Sequence, residues 1–359
     1  MATIYNFNPG PAVLPKSVLD RAQKEFQNYP GLGYSIMEAS HRGKQVVQIF
    51  AETEKKLLSL MGLGDQYRAL FLQGGATMQF IQIPMNFLGA GKKADYIDTG
   101  MWTSKAIKEG KRYGGVNVLF SGKDANYTAL PDLKKLAYSP DAAYTWMCSN
   151  NTIFGTQYRE LPDVKNPLIS DMSSDILSKR LDFGRFGIIF AGAQKNLGPS
   201  GVTLVVIRKD LLDRCNPELP ELLSYKGQAE NDSMVNTPPV FGVYLMGLML
   251  DWIAGEAGGL AAVEKRNEQK AGLLYGAIDG SQGFYKCPVV AKDRSLMNIV
   301  FTLPDEDKTA LFVKEAEAAG FVNLKGHRSV GGIRASIYNA MPVEGCEKLA
   351  AFMAAFAKR

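Results

Sequence analysis

The chain has 359 residues, 46% hydrophobic and 21% charged, with a formal net charge of +5. That is an ordinary soluble globular balance. The positive charge is mild and spread along the chain with no block of five or six like charges, which suits anionic small molecules better than a nucleic-acid groove. A single core rarely grows past roughly 250–300 residues, so one large and one smaller domain are expected.

Residues 1–16 hold three prolines and no apolar stretch, and are not expected to be a signal peptide. The longest apolar run, 240–250, stops at Asp251. A membrane span needs ~20 such residues, so the run reads as a buried helix and no membrane partner is expected. The four cysteines (Cys148, Cys215, Cys287, Cys346) lie far apart, and only two histidines are present. No metal site is expected, and the expected setting is a reducing cytoplasm.

In chain order, 69–72 reads as a strand, 75–88 as a helix, 96–98 as a strand, 104–113 as a helix and 116–120 as a strand. Further β-rich, nearly all-apolar runs occupy 142–148, 167–170, 187–191 and 202–207. Such runs alternating with helices predict an α/β fold with a mainly parallel sheet buried on both faces. Between that sheet and the helix at 240–250, the polar, glycine-containing stretch 226–232 reads as an extended loop. Beyond about 255 a polar helix (262–272), strands near 298–302 and 333–338, and amphipathic helices at 308–319 and 344–357 predict a smaller α+β domain. The expected division is 17–255 for the large domain and 256–359 for the small one, with 1–16 packing on the latter. Neither a P-loop nor a G-x-G-x-x-G after a strand occurs.

Four places carry candidate chemistry. In Phe190-Ala-Gly-Ala-Gln-Lys-Asn-Leu-Gly-Pro-Ser-Gly201 a single lysine, Lys195, follows an apolar strand, at the end where open α/β sheets bind ligands. A lysine amine there can form a Schiff base with an aldehyde; spacing alone also allows a solvated loop lysine. Asp171 ends the 167–170 strand and could keep a pyridine nitrogen protonated, or cap a following helix. In Gly74-Gly-Ala-Thr-Met-Gln-Phe80 a strand runs through glycines into a helix whose free N–H groups favour a phosphate. Trp102, at the end of the next strand, is placed to lie flat on an aromatic ring, or to fill the core.

These motifs, with Phe7-Asn-Pro-Gly-Pro-Ala12, Met37-Glu-Ala-Ser-His-Arg-Gly43, Asn150-Asn-Thr-Ile-Phe-Gly155, Asn236-Thr-Pro-Pro239 and Gly332-Ile-Arg-Ala-Ser-Ile-Tyr-Asn339, occur in one order along the chain. Together they resemble the phosphoserine aminotransferase family, class-V enzymes of the fold-type-I pyridoxal-phosphate group. The resemblance implies that Lys195 carries pyridoxal 5'-phosphate covalently and that Asp171 pairs with its ring nitrogen. It implies that Trp102 stacks on the ring, Thr152 bonds the ring oxygen, and Ala76, Thr77 and Gln194 hold the phosphate. Asn236 and Thr237 would reach that phosphate from the neighbouring subunit of a homodimer with shared sites; Thr237 is also a suitable helix N-cap. Arg334 would bind the substrate α-carboxylate, while His41, Arg42, His327 and Arg328 bind the distal anion, the last two from the neighbour. Both histidines of this chain are followed directly by arginine, whose guanidinium grips carboxylates and phosphates bidentately. Two departures stand out: some members carry arginine at Thr77 and serine at Pro9.

The implied reaction moves the amino group of L-glutamate to 3-phosphohydroxypyruvate, giving O-phospho-L-serine and 2-oxoglutarate. It serves serine biosynthesis and, by extension, the 4-phosphohydroxythreonine step of pyridoxine biosynthesis. Three rivals are weighed. An alanine–glyoxylate type aminotransferase would not need paired His-Arg motifs, since glyoxylate has no distal anion. A cysteine desulfurase-like lyase needs a mobile catalytic cysteine in a recognisable loop. A binding protein with a degenerate site would not need both Lys195 and Asp171.

Overall fold

The computed structural model describes residues 3–359. Met1 and Ala2, part of the segment expected to pack on the C-terminal unit, lie outside the described residues. The chain begins with β1 (Tyr5–Asn6), α1 (Lys16–Glu25) and α2 (Lys44–Leu60), followed by β2 (Tyr67–Leu72), α3 (Gly75–Phe87), β3 (Lys93–Asp98), α4 (Met101–Gly110) and β4 (Gly115–Ser121). Then come β5 (Thr145–Cys148), the short β6 (Asn150–Asn151) and β7 (Thr156–Gln157), β8 (Leu168–Asp171), β9 (Phe186–Gly192) and β10 (Thr203–Arg208). Helices α5 (Tyr225–Glu230), α6 (Val240–Ala254) and α7 (Gly259–Asp279) lead to β11 (Asn298–Phe301), α8 (Glu306–Ala318), β12 (Phe321–Val322), β13 (Ile333–Ser336) and α9 (Val343–Phe356).

Seven strands form the main sheet in the order β2-β10-β9-β8-β5-β3-β4. Strand β10 runs antiparallel to both of its neighbours, and the remaining pairs are parallel. The apolar runs are long because alternate side chains serve different cores. In β9, Phe186, Ile189 and Ala191 join the core beneath α2 and α6, while Ile188 and Phe190 pack on the α3 and α4 side. In β10, Leu204 and Val206 face the first core, Val205 and Ile207 the second. Helix α6 is apolar almost all round because its residues from Val243 to Leu250 are buried.

A third core gathers the C-terminal elements. Ile299, Phe301, Phe312, Ile333, Leu349 and Met353 pack there with Tyr5 and Phe7. The N-terminal strand joins by pairing parallel with β12, Tyr5 opposite Phe321. Strands β11 and β13 pair antiparallel, which brings Arg334 opposite Val300.

Three local readings are corrected. The stretch 226–232 is not an extended loop, because most of it is helix α5. The Ser224 hydroxyl accepts from Gly227 N, while Tyr225 and Ala229 bury themselves against the α3 side of the sheet. Thr237 is not the N-cap of the following helix: α6 starts at Val240, and Pro239 occupies the cap position. Trp102 does not end a strand; β3 stops at Asp98, and Trp102 stands in the first turn of α4.

Candidate active site

Strands β2, β3, β5, β8 and β9 run the same way, so their carboxyl ends open on one edge of the sheet. The connections leaving those ends build a cleft lined by Gly75, Ala76, Thr77, Trp102, Thr152, Asp171, Gln194 and Lys195. Open α/β sheets bind ligands at this position. The stretches around 75–77, 102, 150–152, 171–174 and 194–195, far apart in the chain, are thus brought together within one subunit.

Lys195 follows the end of β9 by three residues and points its Nζ at Thr152 Oγ1, 2.6 Å away. Gly10 closes over the lysine stem with φ +136°, and a Cβ there would stand 3.3 Å from Lys195 Cγ. The N-terminal segment is tied to the same loop by the Ala12 N–H, which donates to the Gln194 carbonyl at 2.8 Å.

Asp171 ends β8 and is only 5% exposed. No helix follows, so it caps none; its Oδ1 accepts from Ser173 N at 2.9 Å. Burial pushes its carboxyl above the usual range, the Ser173 donors and the Lys195 ammonium pull it back, and Asp175 adds to the rise. A cationic ring nitrogen placed beside it would stabilise the carboxylate form.

Helix α3 starts at the cleft. Its cap residue, Gly74, has φ +93° and supplies no side-chain hydrogen bond, and no acidic side chain occupies the first turn. A Cβ at Gly74 would lie 2.7 Å from Met78 Cβ, so the turn needs glycine. The amide-rich start of the helix faces the cleft with an anion-favouring dipole. Trp102 lines the same cleft; its indole Nε1 is buried without a hydrogen-bond partner, and Lys105 Nζ stands 4.7 Å from its ring centroid.

Arg334 is the most informative charge. It is 7% exposed on β13, its Nη1 donates to the Thr152 carbonyl at 3.4 Å, and its Nε has no partner. Among the described residues it forms no ion pair, and burial lowers its pKa. A buried guanidinium held without a carboxylate has donors free to receive one. His327, on the loop between β12 and β13, shares a narrow cleft with Arg334. Its Nδ1 lies 2.7 Å from Ser329 Oγ. Partial burial lowers its pKa, aided by the charges of Arg334, Arg328 and Lys105. Arg328 and His327 line a wider groove against the start of α8.

Besides His327, Arg328 and Arg334, which line other grooves, four expected residues are not brought to the cleft by one chain. His41 and the exposed Arg42 precede α2, and Asn236 and Thr237 precede α6. Asn236 Nδ2 donates to Gln73 Oε1 at 2.9 Å, and Gln73 Nε2 donates to the Thr237 carbonyl at 2.8 Å. Ser173, Ser174, Asn150 and Cys148 line the cleft without having been singled out. Their signal was position, since each stands within three residues of a chosen residue or at a strand end.

The aminotransferase class-V family model matches residues 4–349. The chain belongs to the class-V aminotransferase family. It is 51% identical over 359 residues, all of this chain and 99% of the other, to phosphoserine aminotransferase of Geobacillus kaustophilus. The solved phosphoserine aminotransferase of Bacillus circulans subsp. alkalophilus superposes with a TM-score of 0.97 at 51% identity, covering 99% of this chain and 98% of that one. A phosphoserine aminotransferase structure from Trichomonas vaginalis, described as PLP-bound, gives 0.92 at 40% identity, covering 98% and 99%. The fold is that of these class-V aminotransferases, in agreement with the α/β architecture expected from sequence.

Proposed function

We propose that this protein is a pyridoxal-phosphate-dependent phosphoserine aminotransferase. It would transfer the amino group of L-glutamate to 3-phosphohydroxypyruvate, yielding O-phospho-L-serine and 2-oxoglutarate. The observation that carries the reading is the buried, acid-free Arg334 joined through Thr152 to Lys195. A binding site for an amino-acid carboxylate and a reactive amine thereby meet on one residue.

The residues fit the cofactor. Lys195 supplies the amine for its aldehyde, the start of α3 with Ala76 and Thr77 suits its phosphate, and the Trp102 indole offers a flat face. Asp171 would hold a proton on the ring nitrogen, Thr152 would bond the ring oxygen, and Gln194 would help to hold the phosphate. When bound, pyridoxal phosphate supplies an electron sink next to the substrate Cα. Arg334 holds the α-carboxylate and orients the Cα–H bond. The Lys195 amine would take the proton from the substrate Cα as general base and, as general acid, deliver it to C4′ of the cofactor. His41, Arg42, His327 and Arg328 would receive the distal phosphate of phosphoserine or the side-chain carboxylate of glutamate. The same pairing of α-carboxylate and phosphate would admit 4-phosphohydroxythreonine.

The working form in this reading is a homodimer in which Asn236, Thr237, His327 and Arg328 serve the neighbour's site. The four cysteines are free thiols, in keeping with a reducing cytoplasm. In the same reading, 17–255 is the cofactor-binding domain, and 256–359 with the N-terminal segment is the domain that presents Arg334.

The test is direct. The purified protein should be yellow, lose that absorbance on adding phosphoserine, and form phosphoserine from glutamate and 3-phosphohydroxypyruvate. A protein that binds no pyridoxal phosphate, or that prefers alanine and glyoxylate, overturns the reading.

A further inference from the structure

Behind the cleft lies a group of buried asparagines that the reaction does not use. Asn196, directly after Lys195, is 1% exposed; Asn267 on α7 is fully buried; Asn339, five residues after Arg334, is 2% exposed. Their bonds converge on Asn339. Its backbone N–H donates to Asn196 Oδ1 at 3.0 Å, and its Nδ2 donates to the Leu177 carbonyl at 3.0 Å. Its Oδ1 accepts from Asn267 Nδ2 at 2.9 Å, and that amide also donates to the Ser178 carbonyl at 2.9 Å. One turn along α7, Lys270 Nζ donates to the carbonyls of Ile337 and Tyr338 at 2.8 and 2.7 Å.

Three chain segments therefore meet at one residue, the Lys195 loop through the Asn339 backbone N–H and the loop after Asp171 through its side chain. They are the loop after Asp171, the loop that carries Lys195, and the strand-end that follows Arg334. Buried polar groups are costly unless satisfied, and a network of this kind fixes one geometry among its members. Packing of apolar side chains alone would allow the segments to slide by fractions of an ångström.

We propose that Asn339 is a positioning residue: its side chain, anchored to the Leu177 carbonyl and to Asn267 of α7, holds its backbone N–H on Asn196 Oδ1 and so sets the Arg334 strand against the Lys195 loop, fixing the placement of the substrate Cα against the lysine amine. This rests on the aminotransferase reading above. Asn339 touches neither substrate nor cofactor and acts through its two neighbours. Misplacing reacting groups by about an ångström costs on the order of a hundredfold in rate.

The experiment compares wild-type holoenzyme with Asn339→Ala and Asn339→Asp. The aspartate variant keeps the shape and the acceptor for Asn267 but loses the donor to Leu177. Expected for Asn339→Ala are a retained cofactor band and a cooperative melt, with KM for glutamate raised and kcat lowered. Their ratio should fall ten- to a hundredfold, and the pH midpoint of the visible band should move because the surroundings of Lys195 shift. Asn339→Asp, which sets a buried acceptor against the Leu177 carbonyl, should lose at least as much as Asn339→Ala. In an Arg334→Lys background the Asn339→Ala effect on KM should shrink, since both changes act through the same guanidinium.

A lower melting temperature with KM, kcat and band midpoint all within twofold of wild type would make Asn339 a merely structural residue and overturn the proposal. Should Asn339→Ala not fold, Asn267→Ala is read by the same criteria, since it removes the α7 bonds to Asn339 and Ser178 and leaves the Asn339 side chain in place. A wild-type protein with no cofactor band overturns the aminotransferase reading and this inference with it. A normal wild-type band beside an unaltered variant overturns the inference alone.

Discussion

Lys195 Nζ lies 2.6 Å from Thr152 Oγ1, and the carbonyl of that threonine takes a hydrogen bond from Arg334 Nη1. One residue thus touches both the amine that would bond the cofactor and the guanidinium that would hold the substrate. Thr152 itself is buried at the turn after β6, so neither group can drift without straining it.

The first expectation concerns the amine. Borohydride reduction of the yellow protein followed by peptide mapping should label Lys195, and Lys195→Ala should show no covalent cofactor absorbance. A label on any other lysine sinks the assignment.

Asp171→Asn should still bind pyridoxal phosphate but lose roughly a hundred- to a thousandfold in turnover, the scale seen when one preorganised electrostatic partner is removed. The buried carboxyl would no longer hold a proton on the ring nitrogen. Turnover near wild type would reduce Asp171 to its turn with Ser173.

The arginines should separate by substrate. Arg334→Ala removes a charge-assisted contact of about 1.5–3 kcal/mol, so KM should rise ten- to a hundredfold for every amino acid tested. Arg42→Ala and Arg328→Ala should weaken phosphoserine by a similar factor while sparing alanine and serine. Equal losses for all substrates would remove the latter two from phosphate recognition.

Much of this site was readable in the sequence because strand ends in a parallel sheet are short, apolar and followed by small residues. Lys195, Asp171 and the Gly74–Gly75 turn carry that mark. The helices α1 and α2 did not announce themselves. Their cap positions are Pro15 and Gly43, without a side-chain bond, and neither has an acidic residue in its first turn. Helix α5 was hidden for the opposite reason: its polar composition looked like loop, and burial of Tyr225 and Ala229 overrode it. The places of His41, Arg42, Asn236 and Thr237 stay outside the cleft of a single chain, so no local pattern could assign their contacts.

Stability should carry a pH signature from Lys270. It is fully buried against two carbonyls, and burial pulls its pKa down to about 7 from 10.5. Between those values the unfolded lysine binds a proton that the folded one does not, so this group makes stability rise with pH. The gain is at most about 1.4 kcal/mol per pH unit. Below about pH 7 both forms are protonated, and the cost of burying the charge is fully present. Urea unfolding of wild type and Lys270→Met at pH 7 and pH 9 reads the difference. Wild type should gain relative to the variant on going to pH 9, and parallel changes would show that Lys270 does not titrate in this range.

Shared sites predict complementation. Lys195→Ala and Arg328→Ala homodimers should each be impaired. After subunit exchange, one site in each mixed dimer regains both residues, and activity should return. No gain after verified exchange, or an active monomer, rules out the shared site.

The reversal of β10 in the main sheet has a bearing on how this enzyme family can diversify. The other strands of the sheet are joined by crossovers whose lengths can change without disturbing the ladder. The Lys195 segment instead occupies residues 193–202 of a hairpin, with Gly192 paired to Thr203 and the Ala193 N–H bonded to the Val202 carbonyl. One residue inserted into β10 would turn Leu204 and Val206 out of one core and into the other, since side chains alternate along a strand. Lys195, the proposed cofactor lysine, therefore sits on the connection between two directly paired antiparallel strands, where the register of β10 sets the side chains on both faces of the sheet.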